Sequence, residues 1–166
     1  MSLVVGPPLP CEGQCGSVAL RVASDPMVEV LGVVPARGGS RGLPRKNLRQ
    51  LAGRTLVGRA GGAALESRLV TRVVGSTDDE DVAAELARAG AEVVARPPEL
   101  TGDDVPDSPV FLHVLEVLAM SGYGPEIVVN VRPTAPLRRG SDIDAVVQLL
   151  LDHPEALSVK SVSPAS

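Results

Sequence analysis

Val28-Glu29-Val30-Leu31-Gly32-Val33-Val34-Pro35-Ala36-Arg37-Gly38-Gly39-Ser40-Arg41-Gly42-Leu43-Pro44-Arg45-Lys46-Asn47 joins an apolar half to a basic, glycine-rich half. Val28 to Val34 is a β-branched run with little polar interruption, the pattern of a short strand buried on both faces. Pro35 has no backbone donor and ends it. Beyond Pro35 come Gly38, Gly39 and Gly42, and no acidic residue stands between Glu29 and Glu66. The same span carries Arg37, Arg41, Arg45, Lys46, Arg49, Arg54 and Arg59. A purely basic loop therefore leaves the first strand of a chain whose formal net charge is −4.

Downstream, the pattern predicts alternating helices and strands. Leu56 to Glu66 reads as a helix, Leu69 to Gly75 as a strand, and Asp79 to Ala89 as a helix closed by Gly90. Glu92 to Ala95 is a strand, Ser108 to Met120 a helix, and Ile127 to Val131 a strand. Ser141 opens a helix with Ile143, Val146, Val147 and Leu150 at helical spacing, and Leu157 to Val162 reads as a last strand. Alternation of this kind predicts an α/β protein, a three-layer Rossmann-like sandwich with a mostly parallel sheet. Ligands of such sheets lie beyond the carboxyl ends of the strands, which places the basic loop at the expected site. Glycines there let backbone N–H groups approach an anion, and Arg37 and Lys46 supply charge to phosphate oxygens. The loop matches neither G-x-x-x-x-G-K-[ST] nor G-x-G-x-x-G, which disfavours a P-loop kinase and a dinucleotide dehydrogenase.

Composition narrows the classes further. The chain has 166 residues, enough for one domain with a real core. Trp is absent, with one Tyr and one Phe, so no aromatic platform for single-stranded nucleic acid is expected. The acidic balance disfavours DNA or an anionic membrane as partner, and no apolar run reaches the length of a spanning helix. Residues 1–26 are Pro- and Gly-rich and read as a loose extension, with Met27 as the expected natural start and 27–166 as the domain. Cys11 and Cys15 lie in that extension as incidental thiols of a reducing, cytoplasmic setting. His113 and His153 read as structural.

The segment Val33–Asn47 closely resembles the signature of the acylneuraminate cytidylyltransferases, the CMP-sialic acid synthetases. The resemblance continues through Ser76-Thr77-Asp78-Asp79, Arg96-Pro97-Pro98-Glu99-Leu100, Gly102-Asp103-Asp104, Arg132-Pro133-Thr134-Ala135-Pro136-Leu137-Arg138 and Asp142-Ile143-Asp144. It implies the nucleotide-diphospho-sugar transferase type of fold. It also implies transfer of CMP from CTP to a sialic acid or related nonulosonic acid, with release of pyrophosphate. By that resemblance Arg37 and Lys46 are the catalytic cations. Arg37, Gly38, Gly39, Ser40, Lys46, Asn47 and Arg96 would bind the nucleotide, and Arg132 would face the acceptor sugar. The family's usual Gln stands as Arg132 here, suited to a sugar carboxylate or to a structural ion pair. Mg²⁺ is the implied cofactor and a homodimer the family's assembly. The family's later dimer element and C-terminal aspartate pair have no counterpart here, so a member truncated at its C-terminus is expected and the metal ligands are unknown. Asp78, Asp79, Asp103 and Asp104 are carboxylate candidates that helix caps and turns explain better. An inactive nucleotide-binding remnant, or a guanylyl- or uridylyltransferase on another sugar, are the alternative readings.

Overall fold

The computed structural model describes residues 28–39, 42–102 and 104–162, together with the backbone of Leu3 and Val4. The strands are β1 (Leu3–Val4), β2 (Val30–Pro35), β3 (Gln50–Leu51), β4 (Arg54–Thr55), β5 (Arg72–Thr77), β6 (Glu92–Ala95) and β7 (Ile127–Asn130). The helices are α1 (Leu56–Leu65), α2 (Glu80–Ala89), α3 (Asp107–Ala119) and α4 (Gly140–Leu151). The main sheet runs β1-β7-β2-β5-β6. Its four longer strands are parallel, and β1 lies antiparallel on the outer edge of β7.

Alternation along β2 divides the core. Val30 and Val34 face a layer formed by α1, α2 and α4, whereas Leu31 and Val33 face α3. All four are buried, as the unbroken apolar run requires. The expected three-layer sandwich is present, with three helices on one face and α3 on the other. The α4 stripe of Ile143, Val146, Val147 and Leu150 is buried as its spacing predicts. Each such side chain contributes about 1.5–3 kcal/mol by leaving water.

Local chemistry sets the helix ends. Thr55 caps α1, its Oγ1 accepting from Gly58 N at 3.0 Å, and the same hydroxyl donates to Glu85 of α2 at 2.8 Å. Asp79 caps α2 through the N–H groups of Asp81 and Val82. Gly90 closes α2 at φ 99°, where a side chain would strain the backbone. β3 and β4 form a two-residue hairpin with Ala52 and Gly53 both at positive φ.

Three expectations need correction. The strand expected at Leu69–Gly75 is shifted to Arg72–Thr77, because the N–H groups of Arg68 and Leu69 donate to Asp144 rather than to the sheet. Leu157–Val162 forms no strand: Leu157 and Val162 are exposed, and Lys160 makes only an isolated bridge. The helix expected from Ser108 begins one residue earlier, at Asp107. Of the expected 1–26 extension, Leu3–Val4 pairs with Val129 and Val128. Both cysteines lie outside the described residues. Among the described residues no helix is long and apolar enough to cross a membrane.

Candidate functional site

The order β7-β2-β5-β6 contains one switch point. From β2 the chain winds outward through β5 and β6, then crosses back to place β7 on the other side of β2. Loops leaving β2 and β7 therefore diverge and open a crevice at the carboxyl edge of the sheet. A cleft of about 260 Å³ occupies that place. Arg37, Gly39, Lys46 and Asn47 line it from the first loop, Arg96 from the loop after β6, Asp107 from α3, and Arg132 from the loop after β7.

Each side chain is held by identifiable contacts. Arg37 Nη1 donates to the Thr101 carbonyl at 3.4 Å, and Asn47 Nδ2 donates to the Arg37 carbonyl at 2.8 Å. Asn47 thus clamps the loop across the 3₁₀ turn Lys46–Leu48 that carries Lys46. Gly38 N donates to Asp78 Oδ1 at 2.9 Å. A Cβ on Gly38 would lie 2.5 Å from Asp79 Oδ2 and 2.7 Å from Asp79 Cβ, so only glycine lets the loop approach the start of α2. Arg45 turns away from the cleft: at φ 52° it reaches Asp81 at 2.5 Å and Asp79 at 3.4 Å. Those carboxylates hold its guanidinium pKa above the ordinary value, the Asp81 hydrogen bond being the larger cause.

Arg96 is buried, with Nη2 on the Ser76 carbonyl at 2.9 Å and Nε on Ser76 Oγ at 3.3 Å. Burial lowers its pKa, while the negative charges of Asp78 and Asp107 act the other way. Two charges near a desolvated guanidinium keep a cation at the floor of the cleft without neutralising it by direct contact. Arg132 is paired: Nε donates to Asp107 Oδ2 at 3.0 Å and Nη2 contacts the same oxygen. Asn130 Nδ2 donates to that oxygen as well, at 2.9 Å. Of the two roles open to Arg132 from sequence, the structural ion pair is the one seen, and it leaves the guanidinium on the cleft wall.

The cleft thus brings Arg37, Gly39, Lys46, Asn47, Arg96 and Arg132 together. Gly38 sits behind the wall with its N–H engaged, and Ser40 lies outside the described residues, as does Asp103. Among the described lining residues four cations face one carboxylate, which suits a polyanionic ligand. Sequence reasoning missed Asp107 and Asn130. Asp107 gives only the weak signal of an acid in the first turn of a helix, where the dipole favours it in any protein. Asn130 ends an apolar strand and carries no motif.

Among the described residues no group of three His, Cys, Asp or Glu side chains converges. Asp78 accepts from Gly38, Asp79 caps α2, and Asp107 receives Arg132 and Asn130. Mg²⁺ takes only one or two protein carboxylates and fills its other positions with water and substrate phosphate oxygens, so among the described residues no closed protein site for it is formed.

A parallel sheet with this switch point and a basic crevice at its carboxyl edge is an open α/β fold of the ligand-binding type, and solved nucleotidyltransferases share it. A CMP:2-keto-3-deoxy-manno-octonic acid synthetase solved in complex with CTP superposes on 76% of the chain with a TM-score of 0.62 and 25% identity, the match covering 48% of that protein. A nucleotidyl transferase from Methanothermobacter shares the fold, with a TM-score of 0.57 at 22% identity over 72% of the chain and 57% of its own. The sequence profile of the cytidylyltransferases matches residues 31–166, and the chain belongs to that family. A 3-deoxy-manno-octulosonate cytidylyltransferase from Bdellovibrio bacteriovorus is 31% identical over 77% of the chain and 48% of its own length. CMP-N,N'-diacetyllegionaminic acid synthase from Legionella pneumophila is 33% identical over 84% of the chain and 60% of its own. An N-acylneuraminate cytidylyltransferase from Escherichia coli is 31% identical over 73% and 28%. The chain thus spans between 28% and 60% of the length of these curated relatives.

Proposed function

We propose that this chain carries the nucleotide site of a cytidylyltransferase that moves CMP from CTP to a 2-keto sugar acid. The observation that supports this most directly is the convergence of Arg37, Lys46 and Arg96, from two different loops, on one cleft at the switch point. In the reaction, the anomeric hydroxyl oxygen of the acceptor forms a bond to the α-phosphorus of CTP. The bond from that phosphorus to the bridging oxygen breaks, pyrophosphate leaves, and the hydroxyl proton passes to solvent. Chemistry of this kind depends on positioning and on charge stabilisation. Arg37 and Lys46 would hold the triphosphate, with the Gly39 backbone beside it. Asn47 fixes the loop that carries both cations. Arg96, hydrogen-bonded to Ser76, would supply positive charge from below.

Arg132 would meet the carboxylate of the acceptor. Its Nε/Nη2 edge is turned to Asp107, and the opposite Nη1 edge meets no acceptor among the described residues. Sialic acid, 3-deoxy-manno-octulosonate and legionaminic acid, the acceptors of relatives, all carry such a group, so Arg132 explains sugar-acid use without choosing among them. Mg²⁺ supplies charge neutralisation in nucleotidyl transfer when bound, and no step here runs through it.

Calorimetric titration with CTP, GTP and UTP in the presence of Mg²⁺ tests the nucleotide reading. CTP should bind tightest, and equal or tighter GTP or UTP would overturn the cytidylyl assignment. Pyrophosphate release on adding each of the three sugar acids tests transfer. Binding of CTP with no release from any of them would reduce the function of these residues to nucleotide binding.

A further inference from the structure

We propose that a second cavity, beside α1, is a binding site for a phosphate-type oxyanion. Its volume is about 390 Å³, and its lining shares no residue with the cleft. Arg54 and Arg59 enter it from the hairpin end and from α1, Arg138 and Arg139 from the loop before α4, with Glu66 and Leu137 completing the wall. Arg54 and Arg59 belong to the acid-free stretch, and the cleft does not use them.

The charges at this place are unmatched. Among the described residues Arg54, Arg138 and Arg139 form no ion pair. Arg59 is spent on the carbonyls of Leu51 at 2.8 Å and Ala52 at 3.3 Å, so it is anchored rather than swinging in solvent. Arg138 is half-buried, and among the described residues its guanidinium makes one hydrogen bond, a long one from Nη1 to the Arg132 carbonyl at 3.5 Å. A guanidinium withdrawn from water without a strong acceptor is costly unless an anion arrives. Desolvation pulls the Arg138 pKa down, with Asp142 opposing it, which agrees with that geometry. Among the described residues four guanidinium groups stand against Glu66 in the wall and Asp142 at the start of α4, so positive charge remains in excess. A phosphate or pyrophosphate, with two or more charges and oxygens in several directions, fits the forked donors better than a singly charged carboxylate.

Titration of the whole chain with sodium pyrophosphate, and separately with sodium phosphate, decides the matter. The comparison set is wild type, Lys46→Ala, Arg54→Gln, Arg138→Gln and Arg49→Gln. Binding of at least one of the two probes should persist in Lys46→Ala, which removes a cleft cation. It should weaken at least about tenfold in Arg54→Gln and in Arg138→Gln, the loss of one charge-assisted hydrogen bond. Arg49→Gln, which removes an exposed arginine that lines neither cavity, should leave it unchanged. Arg54 is exposed, so its variant keeps the test intact if Arg138→Gln does not fold. Binding abolished by Lys46→Ala and indifferent to Arg54→Gln would assign the anion to the cleft and overturn the proposal. Equal weakening by Arg49→Gln would reduce it to surface charge, and no binding of either probe would also overturn it. The cleft reading stands or falls separately, on CTP.

Discussion

Arg132 and Asp107, 25 residues apart, meet through a single carboxylate oxygen: Asp107 Oδ2 takes the Nε and Nη2 donors of Arg132 and the Nδ2 donor of Asn130. The pair leaves a basic cleft with one internal negative charge. Replacing Asp107 by Asn removes that charge and keeps the shape. Asp107→Asn should bind CTP several-fold tighter while raising KM for the sugar acid, since Arg132 loses its orienting partner. Its stability cost should be about 1 kcal/mol, as the pair is partly exposed. Calorimetry for CTP and initial rates against acceptor concentration separate the two effects. Unchanged CTP affinity would show that Asp107 does not reach the nucleotide electrostatically.

Gly38 is predicted to tolerate no side chain. Gly38→Ala drives a methyl group into Asp79, which caps α2, and disturbs the amide that Asp78 receives. The expected cost is about 1–3 kcal/mol of stability, and CTP affinity should fall because the loop carrying Arg37 and Lys46 moves. Thermal melting and CTP titration of the variant check both, and an unaltered melt with normal binding would show the loop to be adaptable.

Gly140 presents the sharper packing constraint. A Cβ there would lie 2.5 Å from Glu66 C and 2.6 Å from Ser67 N, both backbone atoms that cannot rotate aside. Gly140→Ala should therefore lower stability by about 3 kcal/mol, a melting-temperature loss of roughly 10 °C for a chain of this size. Its position away from the cleft predicts that CTP affinity survives wherever the variant is folded. A denaturant melt superposable on wild type would contradict the tight approach of α4 to α1.

Asp144 should shape the acid limb of stability. Burial opposes its ionisation, but Ser67 Oγ at 2.6 Å and the N–H groups of Leu69 and Arg68 outweigh that, and its carboxyl lies below the ordinary aspartate value. A depressed folded-state pKa means stability that is fully present above the unfolded value of about 3.9 and is lost as pH falls through the folded value. Asp144→Ala should cost about 2–3 kcal/mol at neutral pH, having orphaned three donors, and much less at pH 2. Denaturant midpoints at the two pH values measure this, and a cost independent of pH would refute the carboxylate as its source.

Periodicity reported burial well where burial was the cause of the pattern. Val30 to Val34, Ile127 to Val129 and the α4 stripe are apolar because helices cover both faces of the sheet. It misplaced β5 because Leu69 and Val70 pack against the core from irregular backbone, while Ser76 and Thr77 are buried polar residues inside the strand. Those two polar side chains are there for the site: Ser76 holds Arg96, and Thr77 Oγ1 accepts from Asp79 N at 3.1 Å. A pattern of hydrophobicity has no means of marking them.

The amino-acid sequence by itself determined the α/β class, the loop that carries the ligand chemistry and the family signature, because local spacing encodes which residues leave water. Only the tertiary structure decided how one acid-free stretch is divided. Arg37 and Lys46 enter the cleft, Arg45 is captured by α2, and Arg54 and Arg59 turn to a second cavity. The partners that make these choices are distant in the chain: Asp78 lies 40 residues from Gly38 and Asp144 lies 77 from Ser67. Ion pairs and hydrogen bonds fall off within a few ångströms, so their choice waits on packing that brings remote segments together.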